Sequence, residues 1–123
     1  MNDENHEDCK NRKGLRKGEV WLTEFPGGSG REQRGLRPAM VLGAANGVAT
    51  IVPFTTNSKI IEKDFTIGFE PSSENGLTEY SVALVFQLTA VDERFFVRKL
   101  GWIPKEQRED VDDLLKKLLK LSE

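Results

Sequence analysis

The sequence predicts a mainly β domain, a small barrel of about six short strands followed by one C-terminal amphipathic α-helix, and three observations carry that prediction. Turn signals recur every ten or so residues between short alternating or apolar runs. From Lys105 onward a single apolar stripe repeats at helical spacing. The length of 123 residues suits one domain and is too short for two cores of ordinary size.

Residues 1–17 are polar and charged without periodicity, and are expected to form a disordered arm ahead of a domain spanning 18–123. Residues 19–25 alternate, with Val20 and Leu22 on one side and Trp21, Thr23 and Phe25 on the other, which reads as a strand with bulky residues on both faces. Pro26-Gly27-Gly28-Ser29-Gly30 ends it and opens a loop running to Pro38. At roughly a dozen residues this loop exceeds the usual connection of about 4 to 6, a mark of functional loops. Residues 38–43 and 48–54 are short apolar runs separated by Ala44-Ala45-Asn46-Gly47, and the Asn-Gly pair predicts a hairpin. Residues 58–64 read as a loop, 65–69 as a short strand and 71–77 as a turn region. The run YSVALVFQL over 80–88 is the most continuously apolar part of the chain and is expected to be the central strand, buried on both sides.

Residues 91–96 fit either a helical turn or a strand end, and 98–103 read as the last strand. Pro104 then permits a helix start. Val111, Leu114, Leu115, Leu118 and Leu121 recur at spacings of three and four, with Leu119 at the edge of the stripe. Glu106, Glu109 and Asp110 at the start, and Lys116, Lys117 and Lys120 at the end, complement the helix dipole.

Composition narrows the chemistry. No apolar run approaches the ~18 residues of a membrane-spanning helix, and the first residues lack the apolar stretch of a signal peptide, so a cytoplasmic location is expected. Cys9 and His6 are the only cysteine and histidine, and both fall in the polar arm. An internal disulfide, a zinc site of Cys and His ligands, a histidine-paired ribonuclease mechanism and a Ser-His triad are thereby excluded. Acid-base work falls to carboxylates, lysine, tyrosine, hydroxyls or arginine. The net charge of -2 conceals eight basic residues between Lys10 and Arg37 against three acidic ones. Such a stretch on a near-neutral chain suggests a local anion site such as a phosphate backbone.

The segments Gly18-Glu19-Val20-Trp21 and Arg31-Glu32-Gln33-Arg34-Gly35-Leu36-Arg37-Pro38 resemble the opening of the MazF/PemK toxin family: a strand beginning G-[DE]-[IV], then a loop ending E-Q-x-G-x-R-P and a hydrophobic strand. Val52-Pro53-Phe54-Thr55-Thr56 resembles that family's second motif, a strand closing on threonine. Gln87-Leu88 with Val91-Asp92 resembles its Q-[IL]-x-x-[VI]-D segment. The resemblance covers about residues 18–121, and its motifs keep their order and spacing.

This resemblance implies an SH3-like barrel, a homodimer and a toxin endoribonuclease (mRNA interferase). Such an enzyme cuts single-stranded RNA at short sequences without metal or other cofactor. The 2'-hydroxyl attacks the neighbouring phosphate and leaves a 2',3'-cyclic phosphate and a 5'-hydroxyl. It also implies a cognate antitoxin with a disordered tail as partner. Arg37 matches the family's catalytic arginine, Thr55 its catalytic threonine, and Glu32 the loop glutamate proposed as base in some members. A pentavalent phosphorane calls for positive charge and hydrogen-bond donors at its equatorial oxygens, which a guanidinium fork and a hydroxyl supply. Arginine side chains, with pKa above ~12, make poor bases, which favours Glu32 as the proton acceptor. Gln33, Arg31, Arg34, Thr56 and Gln87 are RNA-contact candidates by position. Arg31 stands where many members have serine, and Thr89 where many have Arg or Lys, so a recognised RNA sequence does not carry over. Two other classes compete: a toxin of the same fold that grips a protein target such as gyrase, and a non-catalytic RNA-binding barrel.

Overall fold

The computed structural model describes residues 13–25 and 35–121. Among the described residues seven strands precede one α-helix: β1 (Glu19–Phe25), β2 (Gly35–Ala45), β3 (Val48–Thr55), β4 (Thr66–Phe69), β5 (Ser81–Leu84), β6 (Thr89–Asp92), β7 (Phe96–Trp102) and α1 (Lys105–Leu119). Pairing is antiparallel in the order β4-β5-β3-β2-β1-β7, with β6 joined to β3 off this path. The mainly β architecture with a terminal helix is as expected. The strand count is seven instead of about six, and β4 and β7 remain edges, so the sheet does not close on itself.

β1 occupies the residues predicted for it, and the β2–β3 hairpin turns on Asn46 and Gly47. Their φ angles of 59° and 79° are the left-handed pair that a two-residue reversal requires. Alternation then divides the core in two. Met40, Val52 and Phe54 enter one cluster with Val20, Phe69 and Val111 of α1, while Ala39, Val41, Ala49 and Ile51 enter another with Phe25 and Phe96. The central hairpin is therefore buried on both faces.

The run 80–88 departs from expectation. Only Ser81–Leu84 is strand; Val85–Gln87 forms a 3-10 turn, and β2 and β3 hold the centre of the sheet. All four residues of β5 are buried, and Val85 in the turn is buried as well, so the apolar run records burial instead of strand length. Residues 91–96 combine both earlier options: β6 ends at Asp92, whose side chain accepts from Arg94 N at 2.9 Å and caps a 3-10 turn over Glu93–Phe95.

In α1, Val111 is buried and Leu114, Leu115 and Leu118 pack against the first cluster. Leu119 is 48% exposed, as its place at the edge of the stripe predicts. Leu121 falls outside the helix and is 70% exposed, because Lys120 adopts a left-handed C-cap and the Leu121 N–H turns back to Lys116 O. Packing begins ahead of Gly18: Leu15 is buried in the second cluster, and Lys17 Nζ lies 3.0 Å from Asp112 of α1.

Between β4 and β5 the chain is pinned by Asn75, which is 2% exposed. Its Oδ1 accepts from Ser72 N and Leu77 N, and its Nδ2 donates to Glu70 O. Gly76 and Gly101 let this turn lie directly against β7, where Trp102 N donates to Glu74 O at 2.8 Å. Asn75→Ala strands the buried Leu77 N–H, also removes the partner of the part-buried Ser72 N–H, and is expected to lower unfolding free energy by about 1–3 kcal/mol. Urea denaturation with an unchanged midpoint would show the turn does not depend on these bonds.

Candidate active site at the split between β2 and β3

Pro38 and Pro53 lack N–H donors, so the β2–β3 ladder cannot continue through this point with its full set of bonds. The paired register ends at Ala39↔Pro53. Beyond it β2 stays with β1, through Leu22↔Pro38, Thr23↔Arg37 and Glu24↔Leu36. β3 goes instead with β5, through Phe54↔Ala83 and Thr55↔Val82. The two strands part, and a cleft of about 180 Å³ opens between them, lined by residues 36–38, 54–56 and Ser81.

Strand alternation puts Arg37 on the opposite face of β2 from Leu36 and Pro38, and Thr55 on the opposite face of β3 from Phe54, and all five line the cleft where the two strands part. Arg37 is half-buried and enters no ion pair among the described residues. The Thr55 hydroxyl oxygen accepts from Asn57 N at 3.2 Å and keeps its O–H proton for donation elsewhere. Ser81, buried and part of the cleft lining, donates its hydroxyl to Glu79 O at 2.9 Å. Phe54 forms the floor, packed edge-to-face on Phe69 with ring centroids 5.6 Å apart.

Of the residues singled out in the sequence, Arg37, Thr55 and Thr56 meet in this cleft. Gln87 does not. It lies in the 3-10 turn beyond the far end of β5, about 10 Å of strand from Ser81. Glu32, Gln33, Arg31 and Arg34 lie outside the described residues. Ser81, Leu36, Pro38 and Phe54 were not picked out as site residues. Reading 80–88 as a single central strand concealed that its first residue borders a cleft, whereas a leucine between Gly35 and Arg37 at the mouth of a charged loop was a visible signal. Among the described residues no cluster of three His, Cys, Asp or Glu side chains is placed to hold a metal ion, and no helix is long and apolar enough to cross a membrane.

A guanidinium and a hydroxyl that line one cleft of a β-sheet protein are hydrogen-bond donors of the kind a tetrahedral oxyanion accepts. Residues 16–119 match the profile of the PemK-like, MazF-like toxins of type II toxin-antitoxin systems, and the chain belongs to that family. Among solved structures, MazF from Deinococcus radiodurans (form I) is 27% identical with a TM-score of 0.67, covering 86% of this chain and 97% of that one. A chain of the MazE-MazF complex (form III) from the same organism is 25% identical with a TM-score of 0.65, covering 88% and 99%. An endoribonuclease in complex with its cognate antitoxin from a mycobacterial species shares the fold at 16% identity and a TM-score of 0.63, covering 89% and 98%. A search of curated proteins gave no significant match.

Proposed function

We propose that this toxin is an endoribonuclease that cleaves single-stranded RNA at short specific sequences without a metal ion. The observation that carries the reading is that Arg37 and Thr55 line one cleft at the split between β2 and β3. A scissile phosphate seated there receives the guanidinium on two of its oxygens and the threonine hydroxyl on a third contact. These donors act most strongly as negative charge builds on the equatorial oxygens. The 2'-oxygen bonds to phosphorus, the bond from phosphorus to the 5'-oxygen breaks, and the products are a 2',3'-cyclic phosphate and a 5'-hydroxyl. Glu32 takes the 2'-hydroxyl proton, and the leaving 5'-oxygen takes a proton from water in the open cleft, whose hydroxide is neutralised by the proton that Glu32 gives up. Gln33, Arg31, Arg34 and Thr56 contact the RNA on either side, and Gln87 contacts it only where the strand extends beyond the cleft.

The family's toxin-antitoxin pairing, and the relatives solved with antitoxins, support a cognate antitoxin as regulatory partner. A homodimer would lengthen the shallow cleft into a groove, and sedimentation at micromolar concentration showing monomer alone would remove that part of the proposal.

The direct test is purified protein incubated with a long single-stranded RNA in chelator. Discrete fragments with 5'-hydroxyl ends are expected. Binding without cuts would point to a non-catalytic module, and neither binding nor cuts to a protein target. Glu32→Gln is expected to slow cleavage about 10²-fold and to flatten the acidic limb of the pH-rate profile, since a carboxylate base is lost on protonation. Wild-type rates in that variant would take Glu32 out of the mechanism.

A further inference from the structure

The second layer of the split has a composition that phosphate chemistry does not call for. Leu36 lines the cleft yet is 55% exposed, in a lining that also holds Arg37 and Thr56. Its cross-strand neighbour is Glu24. Direct partners in an antiparallel pair project their side chains to the same face, about 4.5–5.5 Å apart at Cβ. Glu24 is exposed and forms no ion pair among the described residues. Glu24 lies on β1, one strand beyond the residues that line the cleft, so its carboxylate meets a group that extends from the cleft across Leu36.

We infer that Leu36 and Glu24 together read one guanine base flanking the scissile phosphate, Leu36 against the face of the ring and Glu24 against its Watson–Crick edge. The inference rests on the cleavage reading above and gives that site a base preference. An unstacked base in single-stranded RNA offers its face to an apolar side chain and its edge to hydrogen-bonding groups. Guanine presents two adjacent N–H donors, N1–H and N2–H, which match the two acceptor oxygens of an ionised carboxylate. Adenine, cytosine and uracil present no such pair. The alternation of β2 separates the two tasks, because Arg37 faces the phosphate layer while Leu36, one residue earlier, faces the base layer.

The test maps and times cuts in a pool of single-stranded RNAs that carry each of the four bases on either side of the cut bond. Wild-type protein is expected to cut next to guanine. Glu24→Gln offers one acceptor and one donor, the pattern that suits adenine, and should erase the guanine preference by about 10- to 100-fold and raise relative cutting beside adenine. Leu36→Ala should raise KM about tenfold at every preferred site with kcat little changed, because it removes contact with the base and leaves the reacting atoms alone. Both positions are exposed, and melting curves matching the wild type would confirm that the variants are folded. Discrete wild-type cuts without a flanking guanine, or unchanged relative rates in Glu24→Gln, overturn the inference and leave the cleavage reading intact. No cuts by the wild type overturn both.

Discussion

Arg37→Ala is expected to lower the single-turnover rate of RNA cleavage by about 10²–10³-fold while leaving the melting temperature nearly unchanged. The magnitude is that of deleting one preorganised donor aimed at charge that develops in the transition state. The side chain is half-buried at the mouth of the cleft and outside both core clusters, so truncation opens space to solvent and not to the interior. Arg37→Lys should recover little of the loss: an ammonium is a point charge without the planar fork that meets two phosphoryl oxygens at once. Thr55→Ser, which keeps the donor, should stay close to wild type, and Thr55→Val should not. If Arg37→Ala cut RNA at the wild-type rate, the layer at the split would hold no reacting phosphate and the endoribonuclease reading would lose its mechanism.

The location of that layer could be read from residue types once the hairpin was recognised. Asn46-Gly47 fixes the reversal, the reversal fixes the register, and Pro38 and Pro53 mark where the ladder must fail. Arg37 and Thr55 were picked out by their motifs, and the hairpin that brings Ala39 to Pro53 explains why two residues so far apart in sequence line one cleft. What was not legible depends on long-range packing. The length of β5 was hidden because YSVALVFQL is apolar throughout, and an apolar run does not distinguish a long strand from a short strand and a buried turn. The failure of the sheet to close was equally hidden, since pairing between β4 and β7 is a property of twist and loop length that no local pattern encodes. Glu24 escaped notice for a related reason. Its significance lies in facing Leu36 across β1 and β2, on the far side of a long loop.

Phe54→Ala is expected to be the most destabilising single change in the cleft, at about 3–5 kcal/mol. Phe54 is 1% exposed, pairs with Ala83 of β5 and meets Phe69 of β4 edge-to-face with an interplanar angle of 84°. Truncation removes the ring that joins β3, β4 and β5, and the neighbouring backbone is held by sheet pairing on that side and cannot collapse fully into the void. Against a total stability of about 5–15 kcal/mol for a domain of this kind, the loss is a large fraction, and the melting temperature should fall by about 10–20 °C. Phe54→Leu keeps much of the volume and should cost well under half as much. The pair of variants separates floor from fold. At a temperature where both remain folded, Phe54→Ala should cut RNA more slowly than Phe54→Leu, because Thr55 is the next residue on β3 and its hydroxyl is aimed by the strand that Phe54 anchors. Equal cutting rates in the two variants would mean that the aim of Thr55 is set by its bond from Asn57 N alone, and that the aromatic floor serves stability without positioning the reactive layer.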